Sequence, residues 1–499
     1  MAFHAPVSGS VAVIGAGPAG LVTARWLLRH GLKPVLFETE TQLGGQWNPC
    51  AAASATWAGM RTNTSKTLSR FSDREHPSET PLFPKREDMQ AYLMAYANQF
   101  DLIRRTRFGA HVQQIRRNGT NWTIDWRTAS DAGSEDYPAV VIATGAEGAP
   151  VIPEITGLAG FSGPLGVLHS AGYKGAERFR GSRVVVVGGS ISALEIASDL
   201  ALGGAGEVVL AARRQRYVLP KIAAGVPMDH ILFTREAAEA QANLTPDALR
   251  EAMRAQIIQL GGDPARYGAP APDPDVFAAG VTQAQHYLAC VAEGRILPRP
   301  QVREVRDQSI SFADGSAFAA DALIFATGYR PALDFFRDAE ADALDVRGDG
   351  PHLFAHSFHP SFHGLAFIGH YDLIGPKLPV LELQARWVAA LWAGKIAPPG
   401  AAEVRAGAAQ AAVEARLGVQ PAMHRLALDF GHRCGVVPDP VRWPALADAL
   451  MRGPLSPTLF RLEGPDRLGQ APEQFAREAG LQTARSEEAP PLARLEAFA

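Results

Sequence analysis

VAVIGAGPAGL, at residues 11–21, combines a short apolar run with three closely spaced glycines. The run is typical of a buried parallel strand, and Gly15, Gly17 and Gly20 have the G-x-G-x-x-G spacing of a dinucleotide-binding turn. The first glycine permits a tight turn, the second lets backbone approach a pyrophosphate, and the third lets the following helix pack closely. The amide groups that begin this helix would face the phosphates. The stretch therefore predicts a Rossmann-like unit at the start of the chain.

An acidic residue completes this first unit. The next predicted strand, PVLFE, ends at Glu38, which follows Gly20 by 18 residues. An acid about 20 residues beyond the turn is the group that binds a ribose hydroxyl. Strand, turn, helix, strand and acid together favour a dinucleotide site over a glycine turn that only reverses the chain.

A second turn of this kind lies in VVVVGGSISALEIA, at residues 184–197. Gly188 keeps the turn, Ser190 replaces the second glycine, and Ala193 replaces the third with a residue still small enough for close packing. The hydroxyls of Ser190 and Ser192 are hydrogen-bond donors for a phosphate. The chain therefore contains a second predicted dinucleotide unit.

The second unit has two basic residues at the position where the first unit has an acidic residue. Its next strand, EVVLAA, is followed by Arg213 and Arg214. A guanidinium pairs bidentately with the 2′-phosphate of NADPH, whereas a carboxylate would repel it. The alternative is a pair of ordinary solvated arginines at a strand end. The two units together predict FAD as the bound redox group and NADPH as its hydride donor.

The order of the predicted strands indicates how the two units are arranged. YPAVVIATG, at residues 137–145, closes the first unit, and ALIFATGYRP, at residues 322–331, plays the matching part in the second. The expected fold is therefore α/β, with two Rossmann-like domains and the NADPH domain inserted in the FAD domain. A mostly helical insert, at about residues 219–293, is expected to form a lid or a wall of the substrate pocket. The predicted domains are 1–165 for FAD, 166–329 for NADPH, and 330–499 for the rest of the FAD domain and a C-terminal helical region.

Composition limits the partners. Of the 499 residues, 47% are hydrophobic and 20% are charged, and the net charge is only −3, so no large basic field indicates nucleic acid or a membrane surface. Cys50, Cys290 and Cys434 are too scattered for a redox pair, which argues against a disulfide reductase. The N-terminus lacks a signal-peptide pattern, and no apolar run approaches the ~20 residues of a spanning helix. We therefore expect a cytoplasmic protein.

Several longer stretches resemble the flavin-containing monooxygenases. The likeness covers most of the chain and is specific in order and spacing; besides GAGPAG it includes GGQW at 44–47, RTNTSKTLSRFSD at 61–73, FATGY at 325–329 and LAFIGHYDLIGPKLPVLELQARWVAALWAGK at 365–395. The resemblance implies a single-component enzyme in which NADPH reduces FAD and a hydroperoxide at flavin C4a oxygenates a soft nitrogen or sulfur atom. The implied partners are a small amine or thioether and dioxygen; a homodimer is left open.

The resemblance also implies roles for individual residues. Glu38 would hold the FAD ribose, Gln46 and Trp47 would line the nucleotide end of the flavin, and Gln384 would lie near the flavin. Asn63 matches the family asparagine beside the isoalloxazine and the nicotinamide, and is the candidate catalytic residue. Without the resemblance, the stretch TNTS around Asn63 would predict only a turn or a helix cap.

One family signature is altered. The pattern F-x-G-x-x-x-H-x-x-x-(Y/F) matches Phe161, Gly163, His169 and Tyr173 only with two extra residues between Gly163 and His169. This departure leaves Baeyer–Villiger oxidation of a ketone open as an alternative. An alternative of another class is a non-catalytic flavin-binding redox sensor.

A histidine-rich segment follows at PHLFAHSFHPSFHGLAFIGH. It contains His352, His356, His359, His363 and His370. The spacing of the first two would suit a metal on a helix, but a nearby proline and the turn-like context argue against a helix there. No carboxylate or cysteine accompanies them, so we expect no metal site.

Overall fold

Two parallel sheets organise the computed structural model, which describes residues 6–51, 54–348 and 350–486. Both have five strands. In spatial order the first contains Leu365–Phe367, Ala139–Ile142, Ser10–Ile14, Lys33–Phe37 and Thr106–Arg107, and the second contains Ile296–Pro300, Glu207–Ala212, Arg183–Val187, Ala322–Phe325 and Gly166–His169. The predicted α/β class with two Rossmann-like units is confirmed. The domain boundaries remain predictions, and at residues 1–5 and 487–499 they lie outside the described residues.

Each central strand is followed by a helix that covers its sheet. Pro18–Arg29 follows Ser10–Ile14, and Ile191–Leu202 follows Arg183–Val187. The first of these helices packs against Lys377–Trp392, of which every residue after Lys377 is buried. A late segment of the chain thus completes the core around the first glycine turn, because it also supplies the edge strand Leu365–Phe367.

The predicted strand at 137–145 is divided in the structure. Tyr137 ends an antiparallel strand, Ala132–Tyr137, and only Ala139–Ile142 enters the first sheet. Pro138 lies between them and has no N–H to donate, so it interrupts the ladder there.

Smaller sheets and strand pairs accompany the two large sheets. One small sheet contains His111–Asn118, Asn121–Arg127 and Ala132–Tyr137, and another contains Val302–Arg306, Ser309–Phe312 and Ala317–Ala319. The paired strands are Tyr217–Leu219 with Val281–Gln283, Ile222–Ala223 with Val226–Pro227, and Ala149–Pro150 with Tyr329–Arg330.

The remaining helices lie mainly in the insert and in the C-terminal region. Between residues 219 and 293 they are Met228–Leu232, Arg235–Asn243, Pro246–Gly261, Val276–Ala279 and Tyr287–Ala292. Elsewhere they are Arg86–Gln99, Asp338–Ala343, Ala401–Arg416, Met423–Cys434, Ala447–Arg452 and Ala471–Ser486. Among the described helices, none is both long and apolar enough to cross a membrane.

Candidate cofactor and active site

The first glycine turn packs so tightly that a side chain would not fit at Gly15 or Gly20. Gly15 has φ +104°, and a Cβ there would lie 2.6 Å from the carbonyl oxygen of Ala143, the first residue of the ATG stretch. A Cβ on Gly20 would lie 1.9 Å from the Gly15 carbonyl oxygen, and one on Gly17 would lie 3.4 Å from the Cα of Gly45. No side chain caps the helix Pro18–Arg29, which leaves its first amide groups for an anion.

Glu38 is fixed beside this turn. It is 6% exposed, and its carboxylate accepts hydrogen bonds from the N–H groups of Ala16, at 2.8 Å, and Glu40, at 3.0 Å. The Thr39 hydroxyl donates a third, at 3.2 Å. These bonds hold the acid at the carboxyl end of its strand, the edge at which such sheets bind nucleotides.

Gln46 and Trp47 lie in a short 3₁₀ turn, Gly45–Trp47, against the glycine turn. Gln46 is exposed, whereas Trp47 is buried. The indole N–H of Trp47 is buried and finds no hydrogen-bond partner among the described residues. A buried donor without a partner is rare, so this N–H is available to a bound group.

The second turn repeats the geometry of the first. Gly188 has φ +147°, and a Cβ there would lie 2.4 Å from the Ala326 carbonyl oxygen, in the second ATG stretch. Ser190 caps the helix Ile191–Leu202 by backbone position only, without a side-chain hydrogen bond, and both Ser190 and Ser192 are exposed. Their hydroxyls therefore remain available to a phosphate.

Three guanidinium groups, rather than the two predicted, gather after the second strand of this unit. Arg213 and Arg214 are exposed, and Arg214 donates to the Ala278 carbonyl at 2.6 Å. Sequence reasoning missed Arg216, which follows within RRQR. Burial lowers the pKa of Arg216, and the like charges of Arg214 and Arg213 lower it further, against the opposing charge of Asp372. Clustered like charges favour binding of an anion.

Asn63 lies in the stretch 61–73, hereafter the Asn63 segment. The hydroxyls of its neighbours make the local turn bonds: Thr62 donates to the Thr64 carbonyl at 2.7 Å, and Thr64 shares a bond with Ser69 at 2.7 Å. The Asn63 side-chain oxygen is buried and has no partner among the described residues. The turn is therefore made without that oxygen, which is left for a bound molecule.

The far end of the Asn63 segment is held by buried charges. Asp73 pairs with Arg25 at 2.5 Å and with Arg461 at 3.0 Å. Ser72 donates its N–H to Glu382 at 2.7 Å and accepts a bond from Arg461 at 2.6 Å. Sequence reasoning missed this network, because Arg461 follows Asp73 by 388 residues.

Gln384 has no free polar atom with which to contact a cofactor. The residue is 0% exposed. Its side-chain oxygen accepts hydrogen bonds from the Gly369 N–H and the Tyr371 hydroxyl, both at 3.1 Å. Its NH₂ group donates to the Phe367 carbonyl at 3.1 Å and to two further acceptors. Gln384 thus fixes the backbone that follows the edge strand Leu365–Phe367, and its place near the flavin stays a prediction.

The altered signature is accommodated in a tight turn. Gly163 accepts a hydrogen bond from the Gly166 N–H at 2.9 Å, and Gly166 has φ +73°, which favours glycine. His169 then shares a 3.1 Å bond with the Gly328 carbonyl in FATGY. The two extra residues lengthen this turn, while His169 keeps its place beside the second nucleotide edge.

The histidine-rich segment is not helical. Strand Leu365–Phe367 and turns occupy it, and burial lowers the pKa of His356, His359, His363 and His370, in the last to about 4. Within the part of the chain that the structure describes, no group of three or more His, Cys, Asp or Glu side chains could hold a metal ion.

Two parallel sheets with glycine turns, an acid on one and arginines on the other, define a protein that binds two nucleotides. A family model described as flavin-binding monooxygenase-like matches residues 8–485. Dimethylaniline monooxygenase [N-oxide-forming] 2 of Oryctolagus cuniculus is 26% identical, over 91% of this chain and 89% of the relative.

Two solved structures share the fold. S-allyl-L-cysteine S-oxygenase from Allium sativum has a TM-score of 0.63 and 23% identity, covering 95% of this chain and 100% of that one. Cyclohexanone monooxygenase from Rhodococcus sp. Phi1 bound to NADP⁺ has a TM-score of 0.56 and 19% identity, covering 77% and 84%. The chain belongs to the flavin-binding monooxygenase-like family. It is an FAD- and NADPH-dependent monooxygenase.

The residues present fit both cofactors. The first turn provides a backbone cradle that a single Cβ would fill at Gly15 or Gly20, with Glu38 fixed beside it. The second turn provides the same cradle with free serine hydroxyls and a guanidinium cluster. The unpartnered atoms of Trp47 and Asn63 are further polar groups for bound molecules.

Proposed function

We propose that this monooxygenase oxygenates a soft nucleophile, the nitrogen of a small amine or the sulfur of a thioether, with Asn63 as the catalytic residue. The observation that carries this proposal is the buried, unpartnered side-chain oxygen of Asn63 in a segment fixed at both ends. Bound FAD, reduced by NADPH, supplies the chemistry by activating dioxygen and transferring one oxygen atom.

The chain's own residues bind and orient. The two glycine turns hold the two pyrophosphates, Glu38 binds the FAD ribose, and Arg213 and Arg214 select the 2′-phosphate of NADPH. The Asn63 amide holds the reacting groups in place, and the buried segment around it excludes water. No acid–base side chain needs to attack the substrate.

The charges that the insert brings to the Asn63 segment favour a soft nucleophile over a ketone. Amines and thioethers react with a protonated, electrophilic oxygen, whereas a ketone needs an anionic oxygen, which nearby positive charge would stabilise. Two side chains reach the segment from the insert, and neither is cationic at neutral pH. Burial lowers the pKa of His230 to about 4 and raises that of Asp229 to about 6.

The names of the similar proteins give the first compounds to test. One relative is named for N-oxide formation and one structural neighbour for S-oxygenation of S-allyl-L-cysteine. The test is a screen of NADPH consumption with amines, thioethers, amino acids, indole and ketones, with hydrogen peroxide measured and each product identified. N-oxides, hydroxylamines or sulfoxides are expected. Esters from ketones, without N- or S-oxygenation, would replace the proposal by Baeyer–Villiger oxidation.

We also propose that the protein acts outside the membrane, in the cytoplasm. The low net charge and the lack of a membrane-spanning helix among the described residues support this. Cell fractionation that found the enzyme in the membrane pellet would contradict the proposal.

A further inference from the structure

The insert contacts the Asn63 segment through two buried polar side chains. Ser65, two residues after Asn63, donates its backbone N–H to Asp229 at 2.6 Å, and its hydroxyl shares a 3.1 Å bond with His230. Asp229 is 3% exposed and His230 is 0% exposed. Both begin the short helix Met228–Leu232 of the insert.

Neither side chain is satisfied by its own surroundings. The second carboxyl oxygen of Asp229 and the Nδ1 atom of His230 are buried without a partner among the described residues, as is the oxygen of Asn63. Unsatisfied buried groups are costly, so three of them around one loop are unusual for a purely structural contact. One of them belongs to Asn63, the side chain proposed above to hold the reacting groups, and the other two belong to residues that contact Ser65, two positions further along.

The insert is itself fixed to the second nucleotide unit. Lys221, just before this helix, is buried and pairs at 3.2 Å with Glu195, on the helix Ile191–Leu202. On the other side, Phe233 accepts a hydrogen bond from Leu455 at 3.0 Å, in the C-terminal region. The insert therefore spans from the helix of the NADPH turn to the Asn63 segment.

We propose that the helix Met228–Leu232 anchors the Asn63 segment, with Asp229 and His230 as positioning residues that hold the Asn63 amide at the reaction site. This inference rests on the proposed function of Asn63. It gives the insert a definite role: the insert fixes the position of a catalytic side chain from outside both nucleotide units. A lid over the pocket would not require these two buried contacts.

Hydrogen exchange on the FAD-loaded enzyme tests the anchor directly. Asp229→Asn keeps the shape of the side chain but removes its charge, so the charge-assisted bond to the Ser65 N–H weakens and exchange there should become on the order of tenfold faster. Asp263→Asn is the matched control, since Asp263 lies in the same insert and accepts one backbone N–H, from Ala265 at 3.1 Å. Exchange across residues 61–73 that is unchanged in Asp229→Asn would overturn the proposal.

The yield of hydrogen peroxide per NADPH tests whether the anchor acts through Asn63. Asp229→Asn should raise this yield, and should add nothing to it in an Asn63→Ala background. An additive increase would overturn the positioning role. If Asn63→Ala alone stays fully coupled while Asp229→Asn speeds exchange, the proposed function fails and the anchor stands.

A second variant covers the case in which Asp229→Asn does not fold. Ser65→Ala removes the hydroxyl, which bonds His230 and also interacts with the Asp229 carboxyl, and leaves the backbone bond to Asp229 in place. It should also speed exchange in residues 61–73 and raise the peroxide yield, and a variant with neither effect would overturn the proposal.

Discussion

At the scale of single residues, substitution of Asn63 distinguishes a catalytic role of this side chain from a structural one. Its side-chain oxygen takes no part in the turn that Thr62 and Thr64 make. Asn63→Ala should therefore still bind FAD and still be reduced by NADPH. It should release hydrogen peroxide in place of oxygenated product, because loss of a hydrogen-bonding group in a dry site costs about 2.7–4 kcal/mol. A peroxide assay with parallel NADPH consumption measures this.

The control for this experiment is Asn121→Ala, at the turn of a distant antiparallel sheet. That variant should remain as coupled as the native enzyme. If Asn63→Ala also stayed coupled and only its Tm fell, Asn63 would be a structural turn residue.

Asp229 and His230 should give opposite dependences of stability on pH. Burial raises the pKa of Asp229 to about 6, so its contribution to stability is full below its unfolded-state pKa and is lost as pH rises to about 6. Burial lowers the pKa of His230 to about 4, so its contribution is full above its unfolded-state pKa and is lost as pH falls to about 4. Each of these changes in pKa corresponds to about 3 kcal/mol of stability, and the two pH dependences largely cancel in the native protein.

Single variants should expose the two dependences. Relative to the native protein, Asp229→Asn should lose stability as pH falls from about 6 to 4, whereas His230→Gln should gain it, with Tm measured across that range. Two Tm differences that stayed constant with pH would show that these groups do not titrate differently in the folded state.

At the scale of elements, the strand end that bears the arginines should determine the choice of nicotinamide cofactor. Replacing Arg213 and Arg214 together by alanine should raise KM for NADPH by about tenfold to a hundredfold, because one well-formed charge-assisted pair with the 2′-phosphate contributes about 1.5–3 kcal/mol. KM for NADH should change little, since NADH lacks the 2′-phosphate. Arg303→Ala, an exposed arginine on a neighbouring sheet, is the control. If KM rose equally for NADPH and NADH, the assignment of Arg213 and Arg214 to the 2′-phosphate would be wrong.

Local elements were predictable because short-range constraints determine them. The two glycine turns and the strands before them follow from glycine spacing and apolar runs, and close contacts at Gly15, Gly20 and Gly188 explain why those residues are small. Pro138 was the local exception, since it divides a strand that its neighbours favoured. Arg216 was predictable in principle, because it belongs to the same RRQR stretch.

The long-range contacts that hold the Asn63 segment in place were not predictable from the sequence around each residue. Ser65 and Asp229 are separated by 164 residues, and Asp73 and Arg461 by 388. Nothing in the residues around Asp229 or Arg461 distinguishes a buried partner from a solvated charge. Gln384 shows the same limit: the resemblance implied a position near the flavin, but only the structure shows that its polar atoms are all engaged.

At the scale of the whole molecule, one buried charge joins the C-terminal region to the Asn63 segment and to the helix Lys377–Trp392. Arg461 is 4% exposed and contacts Asp73, Ser72 and Glu382. Arg461→Leu leaves the buried Glu382 without its ion-pair partner and Asp73 with Arg25 alone, which should lower the free energy of unfolding by about 3–5 kcal/mol. Urea denaturation measures the loss.

The matched control is Arg442→Leu, whose ion pair with Glu463 at 2.9 Å has a 68% exposed arginine side chain. An exposed pair contributes about 0–1 kcal/mol, so this variant should resemble the native protein. Similar losses in the two variants would mean that burial of the Arg461 network does not matter.

The enzyme as a whole should work without a metal ion. Treatment with EDTA followed by buffer exchange should leave NADPH oxidation and product formation unchanged, because FAD carries the chemistry. Activity that disappeared and returned only with added zinc or iron would require a metal site after all.

The network at Arg461 can form only late in the synthesis of the chain. At about 5–20 residues per second, the ribosome takes on the order of 20–80 s to add the residues between Asp73 and Arg461. Throughout that interval Asp73 has its partner Arg25 but lacks Arg461, and Ser72 lacks the same guanidinium. The Asn63 segment is thus among the first parts of the enzyme to be made and among the last to be locked in place. A nascent chain that stalls just before Arg461 therefore carries both glycine turns, but its Asn63 segment still lacks the contacts that Arg461 makes.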